Sequence, residues 1–485
     1  MYVTDTDAIL GARQELTHLF HEVAKELLTK LRVVPNRDLA LQRTSGRKWI
    51  WWQESGMPEF VDTRWEDSPI DYGASLFGRD SVSDADASPQ VHRFCTYVLS
   101  TPLLNGRVIP NWISNPEGDE PKTADGIPFS TILLHGVLHQ FINTLVHTQF
   151  GSLEYQPQTV DALAELWLNG LLGPKLNLDI CVPLLFVLAD FDRLDGDAAI
   201  ERIEDDFHIA RAPKTRHGPG VHSSVYSCAT HMLVLRNRFI RAGGREVFTA
   251  LDEPGQYPLE EIDVYITALR AVAGIDTGYA QVLARPSGWA SEFSILPTLL
   301  GSSIRKYPYR FENFHWLRKD LPSLTKEQAQ RAIELAEAWM AIDKPALGLA
   351  LRRLQFCFLR DDDEDRVVDA AIGLEALLSD NSSGEMTHKL ALRIAALSQF
   401  SQRLEMSPSQ VFKAVKGVYG FRSSIVHGGQ RHLKSREIRV KELPPLQVPS
   451  LAVELLVMVL EVVADRPEFT DASTIDDVLL LGSNR

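Results

Sequence analysis

The segment Tyr-Gly-Phe-Arg-Ser-Ser-Ile-Val-His-Gly, residues 419–428, decides how the carboxy-terminal part of this 485-residue chain is interpreted. It closes a run in which valine recurs at the spacing of one helical face, and Gly428 and Gly429 then stop the helix. The run predicts a helix from Ser409 to His427. Arg422 falls on the apolar stripe, whereas His427 lies about 140° round the helix from it.

Apolar residues at helical spacing continue on both sides of this segment. Five or six helices with short links between them predict a bundle. We therefore expect an all-helical domain over residues 344–470, whose core runs from about Lys344 to Asp465. A linking helix precedes it in residues 321–343, and a tail of residues 471–485 follows. The further helices predicted in this part are Lys326–Met340, Ala346–Leu359, Arg366–Leu378, Glu385–Phe400 and Ser450–Asp465.

Residues 1–320 contain both segments with the apolar spacing of helices and short segments rich in β-branched and aromatic residues, which is typical of strands. They predict an α+β region with room for two sub-domains, so the fold class is multidomain, α+β followed by an all-α bundle. The predicted helices are Thr4–Arg32, Ile132–Thr148, Val160–Leu172 and Leu259–Val272. The predicted strands are Lys48–Gln53, Val91–Leu99, Asp206–Ala212, His231–Ile240 and Gln281–Ala284.

Charge is unevenly distributed along the chain. The hydrophobic fraction of 45% is that of a globular protein, and the net charge of −14 argues against a general nucleic-acid binder. Between Glu385 and Lys441, however, eleven Lys or Arg residues stand against three Glu, a local balance of +8. This excess is either a solvated helical surface or an RNA-facing patch. The RNA-binding candidates are Lys389, Arg393, Lys413 and Lys416.

Cysteine usage and hydropathy indicate a soluble cytoplasmic protein. None of the four cysteines belongs to a CxxC pair, which favours reduced buried thiols over a zinc site or disulfides. No signal peptide is recognised, and no apolar segment of about 20 residues is apparent, so we expect no membrane span.

Three segments, in this order, resemble the ApeA-like HEPN family of prokaryotic defence proteins. Residues 365–378 contain the sequence LEALL, residues 384–395 resemble the family's next helix, and residues 419–428 match its Y-x-x-R-S-x-I-V-H-G element. An Arg and a His five positions apart are weak evidence alone, because Arg13 with His18 and Arg310 with His315 share that spacing. The ordered set of three segments is far more specific.

The resemblance implies a metal-independent RNA endonuclease that acts at a homodimer interface, in anti-phage defence or growth arrest. Carried onto this chain, it makes Arg422 and His427 catalytic, with Ser423 at the polar position that follows the arginine. Glu375 is the natural supporting partner of Arg422. The implied partners are RNA, a second copy of the chain and a phage-derived or cellular trigger at the amino-terminal region. No cofactor and no metal are implied.

The chemistry of the two residues fits this expectation. RNA supplies its own nucleophile, the 2′-hydroxyl, and an imidazole that titrates near neutral pH can take or give the required proton. A permanently charged guanidinium can stabilise the phosphate. One straight helix does not aim Arg422 and His427 at one phosphate, so a kink near Gly420, the reach of the arginine or a second copy of the chain must bring them together.

Other interpretations remain open. Arg422 paired with Glu375 in the core would fix packing without catalysis, which would leave a non-catalytic HEPN module that dimerises or binds RNA or a nucleotide, with a partner-recognising amino-terminal region. His135 and His139 share a helical face and are the basis of a third hypothesis, a metal hydrolase. The tryptophans at 49, 51 and 52 are either core residues or a surface that stacks on a base or a partner.

Overall fold

The chain begins with helices. The computed structural model describes residues 6–40, 47–52, 57–62, 70–77, 88–110, 113, 120–124, 126–203, 229–241, 251, 253–293, 300–308, 311, 321–380, 386–428 and 436–481. Its first elements are α1 (Thr6–Arg32), α2 (Asn36–Ala40), β1 (Arg47–Trp52), β2 (Met57–Asp62), α3 (Ala74–Phe77), α4 (Pro89–Ser100), α5 (Pro102–Val108), α6 (Phe129–Thr148) and α7 (Pro157–Leu172).

Strands dominate the middle of the chain. They are β3 (Lys175–Leu185), β4 (Leu188–Ala189), β5 (Arg193–Leu194), β6 (Ala198–Arg202) and β7 (Ala229–Arg241), then helix α8 (Leu259–Ala273), β8 (Tyr279–Pro286), β9 (Leu300–Lys306) and β10 (Ser323–Leu324). The largest sheet has the strand order β5-β6-β7-β3-β8-β9. The pairs β6–β7 and β3–β8 are antiparallel.

The described residues from 326 onward form helices and one short hairpin. These elements are α9 (Lys326–Ala341), α10 (Pro345–Leu359), α11 (Asp363–Leu378), α12 (Met386–Leu397), α13 (Pro408–Val426), β11 (Glu437–Ile438), β12 (Leu446–Gln447), α14 (Val448–Asp465) and α15 (Ala472–Leu481). Single 3-10 turns follow α12 and α14. A mixed α and β amino-terminal region followed by a helical carboxy-terminal part is therefore confirmed.

Two compact units share the chain in alternating pieces. Unit 1 comprises Met1–Pro183, Asp195–Tyr257 and Gln281–Ile304. Unit 2 comprises Leu184–Leu194, Pro258–Ala280 and Arg305–Arg485. Unit 2 thus includes pieces that the sequence assigned to the amino-terminal region, because α8 packs against α9 and α10. The helix predicted as a link in residues 321–343 is a packed part of unit 2.

An aromatic cluster forms the centre of the helical core of unit 1. The Phe20 ring lies 4.8 Å from Phe141, 5.2 Å from Phe94 and 5.5 Å from Phe293, centroid to centroid, and Trp167 also contacts it. Tilted and edge-on rings at such distances gain attraction beyond simple area burial. These contacts hold α1, α4, α6 and α7 together.

Cross-strand ion pairs connect the sheet strands of unit 1. Arg285 on β8 contacts Asp179 on β3 and Glu201 on β6, each at 3.0 Å, and Arg236 contacts Glu201 at 2.6 Å. Burial alone would raise the pKa of Glu201, but the two guanidinium groups outweigh burial and hold that pKa below its ordinary value. Glu201 therefore stays ionised as the shared partner of both arginines.

Residues 91–99 form a helix, so the strand predicted there is wrong. Val91, Phe94 and Val98 are fully buried at the i, i+3, i+7 spacing of one helical face, and Pro89 occupies the first turn. The β-branched and aromatic content suggested a strand, but burial follows the helical period. The strand predicted at 206–212 lies outside the described residues, as do the side chains of Trp49, Trp51 and Trp52 on β1.

Helix α6 is more apolar than the sequence analysis recognised. Among the described residues it is the one helix long and apolar enough to cross a membrane, with a mean hydropathy of 1.2 over its best window. Half of that window is buried within the protein, and its inner face carries Leu134, Leu138, Phe141 and Leu145. This face packs within the helical core of unit 1.

Helix α11 begins within the acidic run that we expected to lie before it. The side chain of Asp362 accepts hydrogen bonds from the backbone N–H groups of Glu364 and Asp365, which satisfies two of the otherwise unpaired donors of the first turn. Carboxylates at a helix amino terminus also favour the helix dipole. The run therefore starts α11 at Asp363 instead of merely separating two helices.

A buried arginine attaches the last helix to unit 2. The side chain of Arg393 on α12 is 3% exposed and donates to Asp476 on α15 at 2.7 Å, to Asp380 at 2.7 Å and to the Leu378 carbonyl at 2.6 Å. Two sequence-based expectations are corrected by these contacts. Arg393 does not face solvent as an RNA-binding residue, and residues 471–485 are not merely a tail, because 472–481 form α15.

Substitution of Arg393 tests this attachment. We expect Arg393→Ala to lower the free energy of unfolding of unit 2 by about 2 to 3 kcal/mol, because a buried cation and its hydrogen bonds are lost. It should also make α15 sensitive to limited proteolysis. Lys389→Ala is the matched control, since Lys389 reaches the same Asp380 only at 3.5 Å and is 41% exposed. Equal effects of the two variants on urea unfolding would contradict this assignment.

Two helical glycines should respond in opposite directions to substitution. A Cβ on Gly373 of α11 would lie 2.8 Å from a methyl group of the buried Leu456, whereas a Cβ on Gly420 of α13 would meet nothing within 4 Å. We expect Gly373→Leu to lower the free energy of unfolding by about 2 kcal/mol through overpacking. Gly420→Ala should raise it by about 0.5 to 1 kcal/mol. Urea unfolding measures both, and shifts of the same sign would be inconsistent with these environments.

Candidate functional site

Helix α13 carries the central candidate residues and forms as the sequence predicts. Ser407 and Gln410 form a capping box at its start, and Pro408 occupies the first turn. The valines at 411, 415 and 418 are fully buried along one face. The helix continues through Gly420 without a break and ends at Val426.

His427 caps the carboxyl end of α13. Its backbone N–H donates to the Ser423 carbonyl at 3.1 Å, so the last turn is still closed at this residue. Gly428 then takes a left-handed conformation, with φ +67°, which ends the helix. The His427 side chain is exposed, and so is that of Ser423 one turn earlier.

Arg422 stands at the edge of the core beside Glu375 of α11. The closest approach between the guanidinium and the carboxylate is 3.7 Å, from Nη2 to Oε2, which is beyond hydrogen-bonding distance. The two side chains are 29% and 23% exposed. The Nε of Arg422 is buried and has no hydrogen-bond partner among the described residues. The guanidinium is thus held near a carboxylate that does not use up its donors.

Three other arginines of unit 2 hydrogen-bond a carboxylate directly. Arg403 donates to Glu454 at 2.7 Å and to Glu461 at 2.6 Å, and Arg353 donates to Asp369 at 2.8 Å. Arg393 is engaged in the same way. A charge-assisted hydrogen bond at such a distance commits the donor to the fold. Arg422 differs from these three arginines, because its neighbouring carboxylate lies beyond hydrogen-bonding distance.

The single chain brings Arg422 to Glu375 but does not place Arg422 and His427 on one side of α13. Arg422 continues the buried stripe, and His427 faces solvent about 140° away and about 7.5 Å further along the axis. Because α13 is unbroken at Gly420, a disruption of the helix at that residue does not align the two side chains. The length of the arginine side chain or a second copy of the chain must then bring Arg422 and His427 to the same phosphate.

Tyr419, a nearby titratable group, is not suited to act as a base. Its hydroxyl lies 3.4 Å from the Ala371 carbonyl inside the bundle. Burial, and then the neighbouring charge of Glu375, raise the pKa of Tyr419 far above its ordinary value. The phenol stays protonated at neutral pH.

The remaining RNA-binding candidates differ in exposure. Lys413 and Lys416 are exposed on α13, and the Lys416 ammonium lies 5.5 Å from the centroid of the Phe412 ring. Lys389 is partly exposed and contacts Asp380. The Phe412 ring also meets that of His388 on α12, with centroids 5.4 Å apart. This contact between two helices follows from no spacing rule, and the sequence analysis missed it.

The histidines of α6 have protein partners. His139 Nε2 lies 2.6 Å from Asp71 Oδ1, and His147 Nε2 lies 2.7 Å from the Ile70 carbonyl. His135 is buried beside Phe77. Within the residues that the structure describes, no group of three His, Cys, Asp or Glu side chains is arranged to hold a metal ion. The metal-hydrolase hypothesis thus gains no third ligand there.

Three of the four cysteines are buried. Cys95, Cys181 and Cys357 are not in disulfides, and Cys228 lies outside the described residues. Burial raises the pKa of Cys181 to about 12 and that of Cys357 still further. These two thiols stay protonated and are not nucleophiles.

Comparison of the chain with protein-family models, with curated proteins and with solved structures gives no match. The site therefore has to be judged from its own geometry and chemistry. The candidate site combines a guanidinium whose neighbouring carboxylate lies beyond hydrogen-bonding distance with an exposed imidazole on another side of the same helix.

A double-mutant cycle tests whether Arg422 serves only to hold the bundle together. We expect Arg422→Ala, Glu375→Ala and the double variant to show a coupling free energy below about 1 kcal/mol, because the pair is long and partly solvated. The matched cycle on Arg353 and Asp369 should give about 1.5 to 3 kcal/mol, since Asp369 is 5% exposed and hydrogen-bonded. Urea unfolding provides both values. A coupling above about 2 kcal/mol for Arg422 and Glu375 would favour the purely structural pair.

Proposed function

We propose that this protein is a metal-independent RNA endonuclease of the HEPN type, similar to the ApeA-like family. His427 acts as general acid or base, and Arg422 stabilises the phosphate. The observation that carries the proposal is the state of Arg422, whose guanidinium is partly buried and lies 3.7 Å from Glu375, too far for a hydrogen bond. A guanidinium without a hydrogen-bonded carboxylate can still bind the phosphate of a ligand.

The reaction uses groups that RNA and protein both provide. A base removes the proton of the 2′-hydroxyl, and the resulting oxygen attacks the adjacent phosphorus. The bond to the 5′-oxygen breaks, an acid protonates that oxygen, and a 2′,3′-cyclic phosphate remains on the upstream strand. Negative charge that develops on the phosphate oxygens is stabilised by the Arg422 guanidinium.

A homodimer explains how the site is completed. Two proton transfers are needed, and the described residues at this end of α13 offer one imidazole per chain. If two copies meet at their α13 ends, one His427 serves as base and the other as acid. In this arrangement Arg422 of one copy and His427 of the other act on the same phosphate. The two residues therefore need not lie on the same side of one helix.

Ser423 and Glu375 have supporting roles in this scheme. The carbonyl of Ser423 accepts the His427 N–H, and its exposed hydroxyl lies one turn before the imidazole, where it can donate to a phosphate oxygen. Glu375 orients Arg422 from 3.7 Å without consuming its donors. Both are positioning residues, not proton carriers.

The biological setting follows from the resemblance. We propose a cytoplasmic effector in anti-phage defence or growth arrest, whose amino-terminal α+β region responds to a phage-derived or cellular trigger. The alternative function is a non-catalytic HEPN module that dimerises or binds RNA or a nucleotide. The observation in its favour is the Arg422–Glu375 contact itself, since a pair of this kind also stabilises a bundle.

Cleavage of cellular RNA by the purified full chain tests the enzyme. We expect endonucleolytic products with 2′,3′-cyclic phosphate ends, formed in the presence of a chelator. His427→Ala should lower the rate by about 100-fold or more, since general acid–base catalysis contributes about 10²- to 10⁴-fold. Arg422→Ala should cause a loss of similar order.

His18→Ala is the matched control. His18 is exposed and stands five residues after Arg13, so the variant removes an equally spaced histidine. Arg13 is engaged with Asn169 at 2.9 Å, in a contact within unit 1. Cleavage should be unchanged in this variant. Wild-type rates in both the His427 and the Arg422 variants would rule out the proposed nuclease and leave the binding module.

A further inference from the structure

The outward face of α13 leads to His427 along a line of residues of which the proposed chemistry uses only Ser423. At 100° per residue, Phe412, Lys413, Lys416, Gly420 and Ser423 all fall within about 60° of His427 around the helix axis. We call these five residues the α13 track. Lys413, Lys416 and Ser423 are exposed, and the track extends about 22 Å along the axis from Phe412 to His427.

The track is free of negative charge, although the whole chain is acidic. The sequence has no Asp or Glu from residue 406 to residue 436 and has six Lys or Arg residues there, whereas the net charge of the chain is −14. The exposed Lys413 and Lys416 belong to this interval. A local positive face on an acidic protein attracts a polyanion to that face and not elsewhere.

Two aromatic rings stand at the far end of the track. The His388 ring meets the Phe412 ring edge-on, with an interplanar angle of 85°, and His388 is exposed. The Lys416 ammonium lies over the Phe412 ring at 5.5 Å. Aromatic rings beside cations are the usual means of holding an unpaired base and its phosphate, because every base has a π face.

Gly420 leaves the middle of the track open. A Cβ there would meet nothing within 4 Å, and the glycine itself puts no side chain on the track between Lys416 and Ser423. By contrast, Gly417, which lies off the track, adjoins the side chain of Ile438. A chain of nucleotides can therefore lie close to the α13 backbone between the rings and His427.

We propose that the α13 track binds single-stranded RNA, with one unpaired base against Phe412 and His388 and phosphates against Lys413 and Lys416. The strand then passes over Gly420 and reaches His427. This inference rests on the proposed function, because the track positions a strand for cleavage at that histidine. Duplex RNA is a poor ligand, since its bases are already stacked on one another and are not free to contact the rings.

Binding by the full chain carrying His427→Ala tests the track without cleavage. The probe is a fluorescein-labelled 15-nucleotide RNA of mixed sequence, used single-stranded and annealed to its complement, with anisotropy as the readout. We expect Phe412→Ala to raise the Kd for the single strand about tenfold and to change the weaker duplex binding little. Lys413→Ala and Lys416→Ala should each reduce the slope of log K against log salt by about 0.7.

Gly420 provides a matched pair of variants that preserve the fold. Gly420→Glu places a carboxylate in the open middle of the track and should raise the single-strand Kd at least about tenfold. Gly420→Gln has nearly the same shape without the charge and should stay within about twofold. Sedimentation should give both variants the oligomeric state of the parent.

Several results would overturn the track. One is an unchanged affinity for single-stranded RNA in both Phe412→Ala and Gly420→Glu. Another is an equal affinity of the protein for single-stranded and duplex RNA. The third is an oligomeric state that changes in Gly420→Glu but not in Gly420→Gln. The last would make this face a protein–protein contact. Cleavage by the chain with His427 intact separates the two proposals. If the chain cleaves RNA but the track variants bind RNA normally, only the proposal of the α13 track is wrong. If the track variants lose RNA binding but the chain with His427 does not cleave RNA, only the proposal of a nuclease is wrong.

Discussion

Burial of one side of α13 is the constraint on which the carboxy-terminal bundle and its candidate site both depend. Val411, Val415 and Val418 are fully buried, and the same stripe carries Arg422 to the edge of the core. A guanidinium cannot give up its charge when it loses water, so the neighbouring Glu375 compensates for part of the loss. At 3.7 Å that compensation is incomplete. The packing that forms the helix therefore also creates a cation with unused donors.

The arginine side chains of this bundle differ in role according to their distance from a carboxylate. Arg393, Arg353 and Arg403 hydrogen-bond their acidic partners at 2.6–2.8 Å and connect one helix to another. Such groups are part of the framework, and an external anion would have to displace a bonded carboxylate to reach them. Arg422 offers an anion a place without that competition. Sequence neighbourhood alone does not separate these cases, because Arg353, Arg393 and Arg422 all lie in helices rich in apolar residues.

The helices of unit 2 were predictable because their apolar residues recur at a period that only a helix buries. The predicted limits of α13, Ser409 to His427, differ by one residue at each end from those observed. The contact of Arg422 with Glu375 was also foreseeable, since each lies on the apolar face of its own helix. Arg393 was not, because its carboxylate partners are 13 and 83 positions away and no local pattern marks them. The meeting of Phe412 with His388, and the helix at 91–99, likewise depend on what packs against each segment.

The alternation of the chain between two units has a consequence for anyone who dissects the gene. Leu259–Ala273 and Leu184–Leu194 belong to the unit that contains the bundle, although both are encoded well before it. A fragment cloned from residue 321 onward lacks α8 and uncovers the faces of α9 and α10 against which it packs, and one cloned from residue 344 onward lacks α9 as well. Insolubility or inactivity of such a fragment would report the loss of that covering helix. Unit 2 is better isolated by deleting the segments of unit 1 from within the chain. Residues 184–194 and 258–280 are then kept and joined to the rest of unit 2 by short linkers.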